Sequence, residues 1–307
     1  MISVCIPIYN FNVSDLVLEL SRQAKPLQEA VEIILIDDAS SEQYRKQNEE
    51  TCSRHHYIRL NRNIGRARIR NLFLEHARHP YLLFLDCDSR IISPAFLSDY
   101  MAELNQKAPR VICGGRVFPG ERPGRERMLR WRYGTEREAL SVQDREKDPG
   151  RSFMTNNFLV ERTTLEKVRF DERIRQYGHE DTLFGFRLKQ LGIKVRHIHN
   201  PVLNGELETN RTYLAKSRMA VENLVQILRM VEDPEAFSAD VTLLDFHRRL
   251  KRKGLEGPAR FLFFLTGPLL RALLTGGVAS LRLFDFYRLG ILMKGLKERS
   301  KGQAKER

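Results

Sequence analysis

Several things that would settle the class of this chain at once are scarce in it. There are four cysteines, Cys5, Cys52, Cys87 and Cys113, and no Cys-x-x-Cys pair among them, so neither a zinc site nor a disulfide framework is suggested. Three follow or lie within apolar segments, where small buried thiols usually sit, and a reducing compartment is expected. No basic-then-apolar leader precedes the first strand, which predicts a cytoplasmic chain. Internal repeats and low-complexity segments are absent. No uninterrupted apolar run reaches the roughly 20 residues that a spanning helix needs. The nearest, Phe261 to Leu283, is broken by Pro268, Arg271, Gly276, Gly277 and Arg282, and one central arginine costs roughly 2.5–3.5 kcal/mol on insertion.

What is present suits a folded protein. The 307 residues, 42% hydrophobic and 30% charged, are enough for one large domain with an appendage or two modest ones. The net charge of +13 is uneven, because residues 241–307 hold 15 Lys and Arg against 5 Asp and Glu. A basic tail could meet nucleic acid, anionic lipid or an acidic partner. Here Phe284, Phe286, Tyr287, Leu289, Ile291 and Leu292 are mixed with Arg288, Lys294 and Lys297, the pattern of helices lying in a membrane surface. That favours lipid, and no nucleic-acid partner is expected.

Along the chain, apolar strands alternate with helices. Ile2 to Tyr9 reads as a strand stopped by the Asn10-Phe11-Asn12 turn, with Ser14 as N-cap of the next helix. Val31 to Ile36 is a second strand, running into Asp37-Asp38-Ala39-Ser40, and Tyr57 to Leu60 a third. A helix from Arg66 to Ala77 precedes a fourth strand, Tyr81 to Leu85, which ends in Asp86-Cys87-Asp88. Val111 to Val117 is a further strand, Met128 to Ala139 a helix, and Glu180-Asp181 opens a helix that stops at Gly192. This order predicts an α/β fold with a Rossmann-like, mostly parallel mixed sheet flanked by helices. In such sheets ligands sit beyond the carboxyl ends of the strands, where Tyr9, Asn10, Asp37, Asp38, Asn63, Asp86 and Asp88 converge.

Two aspartates one residue apart at a strand end can hold a hard divalent cation against a pyrophosphate. An isolated Asp-x-Asp is as often a solvated acidic turn, so its position carries the inference. The segments Val4-Cys5-Ile6-Pro7-Ile8-Tyr9-Asn10, Ile36-Asp37-Asp38-Ala39-Ser40, Asn63-Ile64-Gly65 with Arg70-Asn71, Phe84-Leu85-Asp86-Cys87-Asp88 and Gly178-His179-Glu180-Asp181 occur in an order that resembles family 2 glycosyltransferases. The resemblance covers about residues 2–205. It implies the GT-A fold, inversion at the anomeric carbon, dependence on Mg²⁺ or Mn²⁺, and a nucleotide-sugar donor, UDP-sugar favoured. It implies a catalytic domain at 1–205, with a nucleotide-sugar-binding half at 1–90 and an acceptor-binding half at 91–205. Residues 206–254 are then a helical segment packing on that domain. Residues 255–307 form a basic, amphipathic, membrane-associating helical extension.

Carried over, the resemblance places Pro7 and Tyr9 beside the base, Asp38 on base or ribose, and Arg70 and Asn71 near the nucleotide or its loop. Asp86 would contact ribose, sugar or metal, and Asp88 would ligate the metal. Asp181 would be the general base, with Glu180 orienting it or the acceptor; acidic residues at a helix start also serve as plain capping. His199 stands as a third metal ligand, although Asn204 occupies the place where some relatives carry histidine. Arg127-Met128-Leu129-Arg130-Trp131 spells a processive-synthase motif but lies ahead of the Glu-Asp pair, so processive synthesis is not expected. The arginines from Arg116 to Arg137 either form a solvated stretch among glutamates or line a phosphate-bearing acceptor. The expected activity is sugar transfer to a glycan or lipid-linked acceptor in cell-surface polysaccharide synthesis, at the inner face of a membrane. Two alternatives remain: a sugar-nucleotide nucleotidyltransferase, for which Pro7 to Asn12 supplies no Gly-rich phosphate loop, and a non-enzymatic membrane-binding protein.

Overall fold

The computed structural model describes residues 1–107 and 109–303; the last four residues of the expected tail lie outside the described residues. In chain order the strands are β1 (Ile2–Ile8), β2 (Val31–Asp37), β3 (His56–Arg59), β4 (Tyr81–Leu85), β5 (Ser89–Ile91), β6 (Val111–Cys113), β7 (Arg116–Val117), β8 (Asn157–Glu161), β9 (Val195–His197) and β10 (Val202–Asn204). The helices are α1 (Ser14–Ala24), α2 (Glu42–Cys52), α3 (Arg66–His76), α4 (Phe96–Lys107), α5 (Met128–Tyr133), α6 (Val142–Arg145), α7 (Arg162–Val168), α8 (Glu180–Gln190), α9 (Asn210–Met230), α10 (Pro234–Asp240), α11 (Thr242–Arg252), α12 (Glu256–Thr275) and α13 (Leu281–Gln303). The chain divides into two compact units. One comprises Met1–Pro119, Arg137–Arg175 and Glu180–Glu206; the other comprises Gly120–Glu136, Gln176–His179 and everything from Leu207 onward.

The first unit is built on a seven-stranded sheet of order β3-β2-β1-β4-β8-β6-β9. β1 pairs in parallel with β2 and β4, β2 with β3 and β6 with β9, while β8 runs antiparallel between β4 and β6. This is the mixed, mostly parallel sheet expected from the sequence. Strand residues alternate between two buried faces, as a pleat demands. Ile2, Val4, Ile6 and Ile8 pack with Leu16, Val17 and Leu20 of α1 and with Phe96 and Tyr100 of α4. Cys5, Ile34, Ile36 and Phe84 pack on the other side with Ile69 and Phe73 of α3 and Phe184 of α8. All four cysteines are free thiols, and three are buried.

Two local readings change. α1 begins at Ser14 with Val13 as its cap residue; Asn12 instead accepts from the Ser14 amide at 3.0 Å. The strand expected over residues 111–117 is broken at Gly114-Gly115. β6 stays in the large sheet, and β7 joins a three-stranded sheet of order β5-β10-β7. A Cβ at Gly114 would lie 2.4 Å from Asn157 Nδ2 and 2.5 Å from Tyr100 Oη, and Gly115 has φ +92°. Only glycine tolerates both demands, so the chain changes sheets there.

The second unit is helical. α13 lies along α9 and α12. Tyr133, Tyr213 and Phe284 form a ring cluster with centroids 5.4–5.8 Å apart. The Arg288 guanidinium stands 5.8 Å from the Tyr133 centroid and 5.7 Å from that of Phe284. The expectation that Phe284, Tyr287, Leu289, Ile291 and Leu292 face a membrane is therefore corrected, since all five are buried inside this unit. The apolar spacing of α13 is real, but a protein partner fills its face. Residues 207–303 fall in one unit with Gly120–Glu136 and Gln176–His179.

Phe84 holds the centre of the large sheet, stacked on Phe158 at 4.9 Å and edge-on to Phe73 at 5.6 Å. Phe84→Ala removes a fully buried ring and should destabilise the protein by about 3–5 kcal/mol, read as a lowered midpoint in urea unfolding. A midpoint unchanged from the natural chain would contradict this packing.

Candidate active site

Strand order reverses between β1 and β4, the place where sheets of this kind open a crevice at their carboxyl ends. The chain leaves β1 through Tyr9, which is half exposed, and Asn10, whose φ of +49° turns the backbone sharply. It leaves β4 through Asp86-Cys87-Asp88. The Asp86 amide donates to the Asn156 carbonyl at 3.1 Å, and the Ser89 amide returns to the Asp86 carbonyl at 3.0 Å. Asp88 is thus held in a tight turn between β4 and β5. Partial burial and the neighbouring Asp86 charge push its carboxyl above the usual range, and Arg116 and Arg66 oppose that only in part.

Such an acidic pair, its charge only partly met by Arg70, Arg116 and Arg66, fits a divalent cation. Mg²⁺ in particular is commonly held by one or two carboxylates plus substrate phosphates. Among the described residues no three His, Cys, Asp or Glu side chains gather at metal-ligand spacing, so the protein's share would be Asp86 and Asp88. His199 is exposed in the turn ahead of β10, beyond the opposite end of that strand from the position paired with Ser89. Asn204 is the nearer residue: it is buried and pairs in register with Ser89, next to Asp88. His197 is fixed elsewhere, with Nδ1 at 3.0 Å from Arg145 and Nε2 at 3.0 Å from the Pro149 carbonyl.

Arg70, from the second turn of α3, is 2% exposed. Its guanidinium donates to Asp86 Oδ1 at 3.1 Å and to Glu180 Oε1 at 3.4 Å, and lies 5.5 Å from the Phe170 centroid. One cation therefore ties the end of β4 to the start of α8, residues more than ninety positions apart. Beside Glu180, Asp181 is the first-turn acid whose carboxyl is raised to about 6, first by burial and then by the Glu180 charge, with the Thr182 hydrogen bonds and Arg70 opposing. A carboxylate poised there can take a proton near neutrality.

Other sequence candidates sit in supporting positions. Asp37 accepts from the Ser40 amide at 2.7 Å and shapes the turn after β2. Asp38 accepts from the amides of Ile64 and Gly65 at 2.7 and 3.1 Å, fixing the loop ahead of α3. Asn71 spans to the Phe170 backbone, donating at 2.9 Å and accepting at 2.9 Å, and donates to Glu172 at 3.0 Å. Pro7 is inside β1, one residue from its end. Of the arginine-rich stretch, Arg116 in β7 pairs with Glu138 at 2.9 Å and acts electrostatically on Asp88. Arg132 pairs with Glu136 at 2.6 Å, and Arg130 lies over Tyr213 at 5.1 Å. Arg122, Arg125 and Arg127 are exposed, as a solvated stretch would be.

Asn156 was not singled out by its sequence context, where it stands in an apolar run beside Asn157. The Leu85↔Asn157 register, carried one step, sets it opposite Asp86. It is 4% exposed, yet its Nδ2 is buried without a hydrogen-bond partner, an arrangement that costs stability unless a ligand accepts from it. The only sequence signal was a polar residue at the mouth of a buried strand. Replacing Arg70 by Met should leave buried Glu180 with only the longer contact to Arg66 at 3.8 Å and destabilise the protein by up to about 3–5 kcal/mol, measured by chemical denaturation. Asn156→Leu should be neutral or slightly stabilising in the same assay, and a large loss would show that the amide is already satisfied.

The sequence and the fold both have known counterparts. The model of glycosyl transferase family 2 matches residues 3–168. A 95-residue stretch is 32% identical to the teichoic acid poly(glycerol phosphate) polymerase of Staphylococcus epidermidis, covering 30% of this chain and 13% of that protein. Among solved structures, residues 1–349 of S. aureus TarS superpose with a TM-score of 0.53 at 16% identity, covering 100% of this chain and 92% of that one. The mannosyltransferase PcManGT of Pyrobaculum calidifontis, solved with GDP-Man and Mn²⁺, gives 0.59 at 16% identity over 96% of this chain and 86% of that one. The family match decides for sugar transfer over the nucleotidyltransferase and non-enzymatic alternatives. With its mixed sheet and the acids at the carboxyl ends of its strands, the chain belongs to family 2 of the glycosyltransferases, of GT-A fold, enzymes that transfer sugar from a nucleotide-sugar donor.

Proposed function

We propose that this enzyme is an inverting transferase that moves one sugar from a nucleoside-diphosphate donor, a UDP-sugar by preference, to a hydroxyl of a glycan or lipid-linked acceptor. The observation that carries the reading is the Arg70 bridge. It joins Asp86, of the acid pair after β4, to Glu180, beside Asp181 at the start of α8, through one guanidinium, which supports a leaving-group site and a base at one crevice. The donor class is supported by the solved complexes of similar fold, S. aureus TarS with UDP-GlcNAc and PcManGT with GDP-Man.

In the proposed reaction Asp181 takes the proton of the acceptor hydroxyl. The acceptor oxygen then bonds to the anomeric carbon as the bond from that carbon to the donor phosphate breaks. The electron pair leaves with the nucleoside diphosphate, whose end lies toward Asp86 and Asp88. Mg²⁺ or Mn²⁺ bound at those carboxylates would supply positive charge to the departing phosphates. Pro7, Tyr9 and Asp38 would bound the nucleotide, and Arg70 would keep Glu180 and Asp86 in place. Asn71 acts through the loop it holds, and His199 is left outside the ligand set. A role in cell-surface polysaccharide synthesis is supported by the likeness of a 95-residue stretch to the S. epidermidis teichoic acid polymerase, and the inner face of a membrane is the place proposed for it. Among the described residues no helix is long and apolar enough to cross a membrane, so the membrane contact proposed is peripheral.

Asp181→Asn should lower transfer by about 10²- to 10⁴-fold while donor binding, measured by calorimetry, stays within about twofold of the natural chain. Loss of binding instead would give Asp181 a structural role. In the natural enzyme kcat/KM should fall as pH drops through about 6, since only the ionised carboxylate accepts a proton. The group's folded pKa lies above the ordinary value of about 3.9. Ionising it therefore costs stability at neutral pH, and Asp181→Asn should not lower the melting temperature. A panel of nucleotide sugars with Mn²⁺ tests the whole reading: turnover or binding of none would refute it.

A further inference from the structure

We propose that the exposed face of α12, together with the basic end of α11, is the surface by which this protein docks on an anionic lipid bilayer. The proposal rests on the peripheral membrane reading above and assigns it to particular side chains. α12 carries apolar residues on both its faces. Phe263, on one, meets Phe286 and Tyr287 of α13 at 6.0 and 6.2 Å between ring centroids, and Leu270 and Leu274 are buried. At 100° per residue, Phe261, Phe264, Leu265 and Leu269 fall on the opposite half of the helix. They are 64%, 78%, 59% and 60% exposed. Gly290 shows how firmly the inner face is seated, since a Cβ there would lie 2.2 Å from the Phe263 ring. The helix cannot turn its outer face inward.

An apolar face of this extent is an unusual thing to leave in water, and charge decides what covers it. Residues 242–275 hold seven Lys and Arg against two Asp and Glu. Both acids are already paired, Asp245 with Arg248 and Arg249, and Glu256 with His247 and Arg260. At the amino end of the face, Phe246, Leu250 and Leu255 floor a shallow hollow rimmed by Arg249, Arg252 and Lys253. A second copy of this face would bring the same positive excess, with both of its acids already paired, and so no countercharge for the basic end. Nucleic acid would satisfy the charge and leave the phenylalanines and leucines unmet. A bilayer surface with acidic headgroups answers both features: phosphates for the rim, and the acyl boundary for a helix lying in the interface plane.

The test is flotation of the full chain with vesicles of phosphatidylcholine, alone or mixed with phosphatidylglycerol. The natural chain should float with the mixed vesicles and much less with the neutral ones, and salt should weaken the association. Phe264→Asp with Leu265→Asp should reduce binding by about tenfold or more, with donor hydrolysis and circular dichroism unchanged. Arg252→Glu with Lys253→Glu should remove the preference for acidic lipid. Undiminished binding of the double aspartate variant would overturn the assignment to α12 while leaving membrane association standing. Failure of the natural chain to float, with or without self-association that the same aspartates abolish, would overturn the proposal; the donor hydrolysis readout judges the transferase reading separately.

Discussion

A single buried cation organises this molecule's chemistry. Arg70 cannot remain charged and almost wholly out of water unless carboxylates face it, and those it faces come from the end of β4 and the start of α8. Satisfying one guanidinium thus fixes the relative position of two strand and helix termini that the chain supplies far apart. Phe170 closes the ring side of that guanidinium, and Asn71 on the next residue of the same helix locks the Phe170 backbone. α3 therefore does more than cover the sheet: its Arg-Asn pair clamps the α8 side of the crevice onto the β4 side.

The arginine does not neutralise everything near it. Asp88, Asp181 and Asp38 all lie where burial and a like-charged neighbour hold the carboxyl up, but Asp38 also accepts from two backbone amides that oppose the rise. Environment, rather than residue type, divides the labour among these acids. An acid pair whose charge is only partly met suits a cation and phosphates. A raised carboxylate beside a second acid at a helix start suits proton transfer. The proposed reaction uses both at once, with the leaving charge growing on one side of Arg70 and the proton arriving on the other.

The helical unit teaches a related point about apolar surface. α12 and α13 have similar aromatic, leucine-rich sequences sprinkled with arginine, and either could read as a membrane helix. In the fold they part company. α13 gives its rings to Tyr133, Tyr213 and α9, whereas α12 is seated by Phe263 and keeps its other face outward. Amphipathic spacing states that a face needs a partner; it carries no information on whether the partner is protein or lipid.

By itself the sequence determined the alternation of strands and helices, the β4 boundary at Tyr81–Leu85, and the acids that end the strands. Those follow from local pattern: apolar runs of strand length, turn residues after them, and an acidic helix start. It also determined family membership, because the motifs occur in order. Tertiary structure alone decided which acids share a cation, that Asn156 stands opposite Asp86, that Asn204 rather than His199 lies next to the pair, and that the strand after Val111 splits at two glycines. Each of these depends on contacts between residues distant in the chain, set by strand order and packing, and no window of neighbouring residues encodes them.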